Sequence, residues 1–230
     1  MSANISYFFD IESFPFKELF MDCEYPWEVV PKISEYLKQC HLGKIEAQVS
    51  PSAYLINPEL ISIGQGSIVE PGAYISGPCL IGKNCVIRHG AYIRGNFIAG
   101  DGCVIGHDTE VKNSIFLQNV HAAHFAYVGD SILGNHVNLG AGTKCANLKL
   151  PKKFDKGYIS VYFQGKKIQT QLKKFGAVLG DYTQIGCNAV TNPGTLMGKH
   201  VNCYPCINVG GFIPTQSIIK SENAPIIISH

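Results

Sequence analysis

Every sixth residue from Ile63 to Ala123 is apolar: Ile63, Val69, Ile75, Ile81, Ile87, Ile93, Ala99, Ile105, Val111, Leu117 and Ala123 form one unbroken ladder. Four residues after most rungs the side chain is small, as at Ser67, Ala73, Cys79, Cys85, Ala91, Cys103 and Thr109. Three residues after a rung the chain favours Gly, Asn or Asp, as at Gly66, Gly72, Asn84, Gly90, Asn96, Gly102 and Asp108. A period of six is neither the 3.6 of a helix nor the alternation of a plain strand, so the repeat is read before local propensity. Each hexapeptide predicts a short strand and a corner. Stacked coils then give parallel strands around a filled aliphatic interior. A ligand must bind outside that interior, beside a loop or against another copy of the chain.

The ladder has edges and interruptions. From Ile45 to Ile61 it slips, with Val49 and Leu55 in step. After Ala123 it shifts by one at Val128-Gly129-Asp130 and continues through Leu133 and Leu139. Between Thr143 and Gly176 it is lost; Ile159, Val161 and Phe163 alternate, Gly165 offers a turn, and Ile168, Thr170 and Leu172 alternate again. That pattern predicts a hairpin arm projecting from the coil. The six-step resumes at Leu179, Ile185, Thr191, Met197 and Cys203. Residues 1–43 lack it, and Trp27, Val30, Ser34 and Leu37 fall near one face of a short helix with Pro31 in its first turn, a segment suited to capping or flanking an open coil. The expected organisation is an N-terminal helical segment over 1–43, a coil over 44–214 with an arm inserted at about 144–176, and a tail over 215–230 in which Ile226 to Ile228 offer a last strand.

Composition supports this picture. With 230 residues, 24 of them Gly, only 16% charged and 46% apolar, the chain suits one compact β domain with many tight corners. No run of about 18 apolar residues is present to span a bilayer, and the opening residues carry no export signal, so a cytoplasmic protein is expected. Nine cysteines then read as reduced thiols. Cys203-Tyr-Pro-Cys206 is formally a C-x-x-C, but no second pair completes a zinc set, and no metal site is expected. Nine of the 19 basic residues lie between Lys144 and Lys174, with Asp155 the sole acid among them. Such a local field favours an anionic ligand and is too short for a nucleic-acid track; a solvated lysine-rich excursion is the alternative.

Several motifs resemble a known family. Val86-Ile-Arg-His-Gly-Ala-Tyr, Glu110-Val-Lys-Asn-Ser, His124-Phe-Ala-Tyr-Val-Gly-Asp130, Val137-Asn-Leu-Gly-Ala-Gly-Thr143 and Ala146-Asn-Leu148 resemble the acetyltransferase domain of bifunctional sugar-1-phosphate nucleotidylyltransferases, including the glucosamine-1-phosphate acetyltransferase half of the bacterial uridylyltransferase. Lys173-Lys-Phe-Gly-Ala177 is similar to the archaeal branch, and Pro26-Trp27-Glu28 resembles the linker that precedes the coil. The resemblance implies an all-β fold, a left-handed parallel β-helix against the general right-handed rule for crossovers, assembled as a homotrimer. It implies an acetyl-CoA-dependent N-acetyltransferase of an amino-sugar 1-phosphate. His124 matches the general base, a task suited to an imidazole. Arg88 and Lys112 match the sugar-phosphate positions, and Tyr127 and Asn138 match sugar contacts. The Ala141 amide and Asn147 match the acetyl-CoA and oxyanion positions, with Leu148, Cys187 and Pro205 also on the cofactor side. From charge alone, the lysine-rich arm is expected to meet the cofactor's phosphates.

Two departures bear on these expectations. No glycine-rich nucleotide loop occurs in the first 60 residues, so the chain is not expected to make a nucleotide sugar by itself, which implies a separate nucleotidylyltransferase as partner. Asn147 is followed by Leu-Lys-Leu150 and the long arm, which leaves the acceptor sugar open. Two other classes remain: a zinc enzyme of the carbonic anhydrase kind, drawing on His107, His121, His124 and His136, and a non-catalytic β-helix scaffold or regulatory subunit.

Overall fold

The computed structural model describes residues 3–150 and 157–221. The hexapeptides wind into a left-handed parallel β-helix with three flat sides. The first sheet has nine strands, from Gln48–Val49 to Ile218–Ile219; the second has eight, from Tyr54–Ile56 to Asn208–Val209; the third has eight, from Ile61–Ile63 to Phe212–Ile213. Every pairing within them is parallel and in register, for example Ile75 with Ile93 and Ile93 with Val111. One full coil is therefore three hexapeptides, 18 residues.

The physical cause of the repeat is visible at each corner. The Gly, Asn and Asp that follow the rungs hold left-handed backbone, from φ 49 at Asn96 to φ 77 at Gly66, the region those residues enter at least cost. The small residues that come next are buried and bond to the adjacent coil: Ser67 Oγ donates to Gly82 O at 2.9 Å, and Cys103 Sγ to Leu117 O at 3.1 Å. The inward aliphatics are fully buried, each worth about 1.5–3 kcal/mol relative to exposure.

The ladder leaves its register earlier than Val128. Phe116, not Leu117, packs inside, and Ile105 pairs with Ala122 rather than Ala123. The step from Val111 to Phe116 is one residue short at Lys112-Asn113-Ser114, and the same shortening recurs at Gly129-Asp130-Ser131. Leu117 turns outward into a second cluster. An unbroken apolar period hid the slip because both registers offer an apolar residue.

That second cluster covers the third sheet. Its outward residues Ile98, Ile115, Ile132, Val178 and Leu196 are buried under Phe8, Phe9, Phe20, Trp27 and Val30. The N-terminal segment is a helix Ala3–Phe8, a 3-10 turn Lys17–Phe20, a 3-10 stretch Pro26–Lys32 and a helix Ile33–Gln39. The single helix expected across Trp27 and Leu37 is thus divided, because Pro31 lacks the N–H an α-turn needs there. Asp181, its side chain 2% exposed, latches this segment down: its Oδ2 accepts from Asp10 N at 2.7 Å and its Oδ1 from Asn135 N at 2.8 Å.

The arm contains a hairpin, Ser160–Phe163 paired antiparallel with Lys166–Gln169 about Gln164-Gly165, both at positive φ. Its inner residues Ile159, Val161 and Phe163 are buried, and Phe163 meets Tyr7, Phe8 and Phe212. The hairpin leaves the coil but rests on the N-terminal segment. The coil itself continues past residue 214, since Ile218–Ile219 pairs with Asn202–Cys203. Lys152, Lys153, Lys156 and Ile226 to Ile228 lie outside the described residues.

Candidate active site

With the third sheet covered, the corner between the first and second sheets is the open edge of the coil. Successive coils place Pro71, His89, His107, His124, Ala141, Cys187 and Pro205 at one corner position, as shown by the pairing of His107 with His124 and the backbone bonds Gly142 N to His124 O, Asn188 N to Ala141 O and Cys206 N to Cys187 O. Four residues singled out in the sequence, His124, Ala141, Cys187 and Pro205, therefore stack on consecutive coils. Pro71 and Pro205 occupy this position with no N–H to give. The Ala141 N–H has no partner among the described residues, which leaves it free to meet a developing oxyanion. His124 ends the strand His121–His124 with its side chain exposed.

On the second sheet, the outward residues Tyr92, Glu110, Tyr127 and Lys144 align coil by coil. Beside them lies a groove of about 530 Å³, lined by Asp108, Glu110, Phe125, Tyr127, Lys144, Asn147, Leu148 and Val190. Burial pushes the Tyr127 phenol above its ordinary pKa, with Glu110 and Asp130 adding to the shift, so it remains a hydrogen-bond donor at neutral pH.

The shortened corners gather the polar residues. Asp130, 6% exposed at its side chain, accepts Asn113 Nδ2 at Oδ1, 2.8 Å away, while its Oδ2 takes both Lys112 Nζ, at 3.0 Å, and Asn147 Nδ2. Asn147 is thus held by Asp130, close to Tyr127.

Arg88 is not brought to Lys112. Their separation of 24 residues is one coil plus one side, so they occupy consecutive corners at opposite ends of the second sheet. The residue one coil below Lys112 is Arg94, whose N donates to Val111 O and whose guanidinium meets Glu110 at 2.6 Å. Counting by 18 instead of by 6 would have found it. Asn138 lies on the outer face of the first sheet between His121 and Gln184, around the corner from Tyr127. His107 and His124 share a corner, while His121 and His136 border a hollow on the first sheet; no group of three metal-ligating residues occurs among the described residues. Cys203 points into the core and Cys206 out of it. Lys166 and Lys167 ride on the hairpin over the N-terminal segment, and among the described lysines it is Lys144 that lines the groove. Asp130, Glu110 and Phe125 also emerge here, although all three stood inside the quoted motifs.

The chain is similar to several known proteins. Residues 75–152 match the family model described as GMPPB C-terminal domain. The chain is 38% identical over 96 residues to the bifunctional sugar-1-phosphate nucleotidylyltransferase/acetyltransferase of Sulfurisphaera tokodaii, covering 42% of this chain and 23% of that protein. It is 39% identical over 182 residues to the bifunctional protein GlmU of Methanococcus maripaludis, covering 78% of this chain and 42% of that protein. The chain thus spans less than half the length of these curated relatives. The acetyltransferase domain of PglB from Neisseria gonorrhoeae, in complex with acetyl coenzyme A, aligns with a TM-score of 0.32 at 17% identity, covering 76% of this chain and 52% of that one. Fold and motifs define a hexapeptide-repeat β-helix. Within that class the coil fits a left-handed β-helix acetyltransferase domain, and it is similar to the kind carried by the sugar-1-phosphate nucleotidylyltransferase/acetyltransferases.

Proposed function

We propose that the chain is an acyl-CoA-dependent acyltransferase, and specifically an acetyl-CoA-dependent N-acetyltransferase of an amino-sugar 1-phosphate such as glucosamine 1-phosphate, working in the cytoplasm. The observation that carries this reading is the column of His124, Ala141, Cys187 and Pro205 standing beside the Tyr127 groove, in a chain whose relatives include bifunctional nucleotidylyltransferase/acetyltransferases.

In this reading Asp108 and Glu110 draw the acceptor's ammonium into the groove. Once neutral, the amine attacks the thioester carbonyl while the His124 imidazole takes its proton. The tetrahedral oxyanion is held by the Ala141 N–H. Collapse breaks the carbon–sulfur bond, and the departing thiolate receives the proton from the His124 imidazolium. Tyr127, steadied by Asn147, donates to the sugar. Lys112, with Arg94 one coil below, supplies charge for the phosphate; Arg88 and Asn138 serve from neighbouring faces. Since Tyr127 and Asn138 look out from different sheets, one ligand touching both requires a cleft formed with another copy, which favours a homotrimer. A separate nucleotidylyltransferase then consumes the product.

Acetyl-CoA at a hundredfold excess over its Kd is expected to stabilise the fold by about 2.7 kcal/mol, raising Tm by about 5–11 °C in a chain of this size. No rise at millimolar acetyl-CoA, or a strictly monomeric mass in solution, contradicts the proposal.

A further inference from the structure

The left-handed position at the corner between the first and second sheets is filled by Gly72, Gly90, Asp108, Gly142, Asn188 and Cys206, and in the coil of His124 by Phe125 at φ 35. Glycine, Asn and Asp are what such backbone favours, and a bulky aromatic there is an outlier. The fold does not ask for it, because the same corner is made with glycine in three other coils. Burial does not repay it either, since Phe125 is 52% exposed. The surroundings hold it in place: Phe125 N donates to His107 O at 2.6 Å, and Gly142 N to His124 O at 3.1 Å. A strained residue that its neighbours over-determine, next to the reacting group, points to a role in the site.

The position of the ring indicates which ligand it serves. Its edge lies over Gly142, where a Cβ would stand 3.2 Å from it. Gly142 follows Ala141, so the ring leans toward the coils assigned to the acyl donor. It lines the same groove as Leu148, itself 62% exposed, and Val190. We propose that Phe125 is a positioning residue for the donor: its ring, lining the groove with Leu148, holds the pantetheine arm of the acyl-CoA so that the thioester carbonyl meets the Ala141 N–H beside His124. This rests on the acyltransferase reading.

Calorimetric titration with acetyl-CoA and with adenosine 3′,5′-bisphosphate, which lacks the pantetheine arm, separates the outcomes. In Phe125→Gly the Kd for acetyl-CoA is expected to rise on the order of tenfold, about 1.4 kcal/mol, while the bisphosphate binds wild type and variant equally. Phe125→Leu, which keeps an apolar body, is expected to fall between them. The Tm of Phe125→Gly should not drop, because glycine relieves the backbone. Equal acetyl-CoA affinity in wild type and Phe125→Gly, or an equal loss for both compounds, overturns this inference alone. A wild type that binds neither compound overturns the acyltransferase reading and this inference with it.

Discussion

Asp130 is the most heavily used carboxylate of the site, and removing it has a calculable cost. Lys112, Asn113 and Asn147 all converge on its two oxygens, with side-chain exposures of 6% for Asp130 and 19% for Lys112. Asp130→Ala leaves an ammonium without its counter-charge and two amide donors without their acceptor. Breaking such a sheltered pair costs about 3–5 kcal/mol, to which the left-handed backbone, φ 50 at Asp130, adds about 1 kcal/mol for alanine. A chain of this size loses about 2–4 °C of Tm per kcal/mol, so calorimetry should show a fall of about 8–24 °C. Asp130→Gly isolates the backbone share, being higher by about 1 kcal/mol. The double variant Asp130→Gly with Lys112→Met removes both charges, and should be less damaged than the sum of the singles by more than about 1 kcal/mol. A single Asp130→Ala variant within about 0.5 kcal/mol of wild type, or strictly additive singles, would refute the network.

Three further outcomes follow from other parts of the coil. A Cβ on Gly106 would collide with Ala123 O, backbone against backbone, so Gly106→Ala is expected to cost more than about 3 kcal/mol; a wild-type melting curve would show that the coil can yield there. Burial raises the Asp181 pKa above its ordinary value, so the folded state keeps this proton longer than the unfolded chain. Its contribution is complete below the unfolded pKa and is lost as pH rises through the folded value; the Tm of wild type should therefore fall relative to Asp181→Asn as pH climbs through that window, and the opposite slope would contradict the assignment. Burial drives the Cys79 thiol up to about 12, whereas Cys187 and Cys206 are exposed. Native alkylation at pH 8 should label Cys187 and Cys206 and spare Cys79, acetyl-CoA should slow the reaction at Cys187, and equal labelling with and without acetyl-CoA would remove Cys187 from the donor path.

The fold was legible because a hexapeptide leaves a rung, a left-handed corner and a small residue in fixed order, and Ile75, Gly72 and Cys79 each obey the rule for a separate physical reason. Its register was less so. Leu117 and Ala123 are apolar yet outside the interior, since periodicity records that a residue is buried and not against what. The cover of the third sheet by Phe8, Phe9 and Trp27 leaves little periodic trace, being built from short turns. In the candidate site, His124, Tyr127 and Ala141 were reachable through motifs. Arg94 was obscured by counting in sixes when the coil closes in eighteens, and Phe125 looked like an ordinary aromatic until its φ was known.

The central claim is that His124 moves the proton while an amino-sugar 1-phosphate takes the acetyl group. Release of free thiol from acetyl-CoA, measured with glucosamine 1-phosphate and galactosamine 1-phosphate, tests it most directly. Acceptor-dependent release by wild type, reduced about 10²- to 10⁴-fold in His124→Ala without a change in Tm, is the predicted result; equal turnover in the two proteins, or no acceptor-dependent release by wild type, would contradict it.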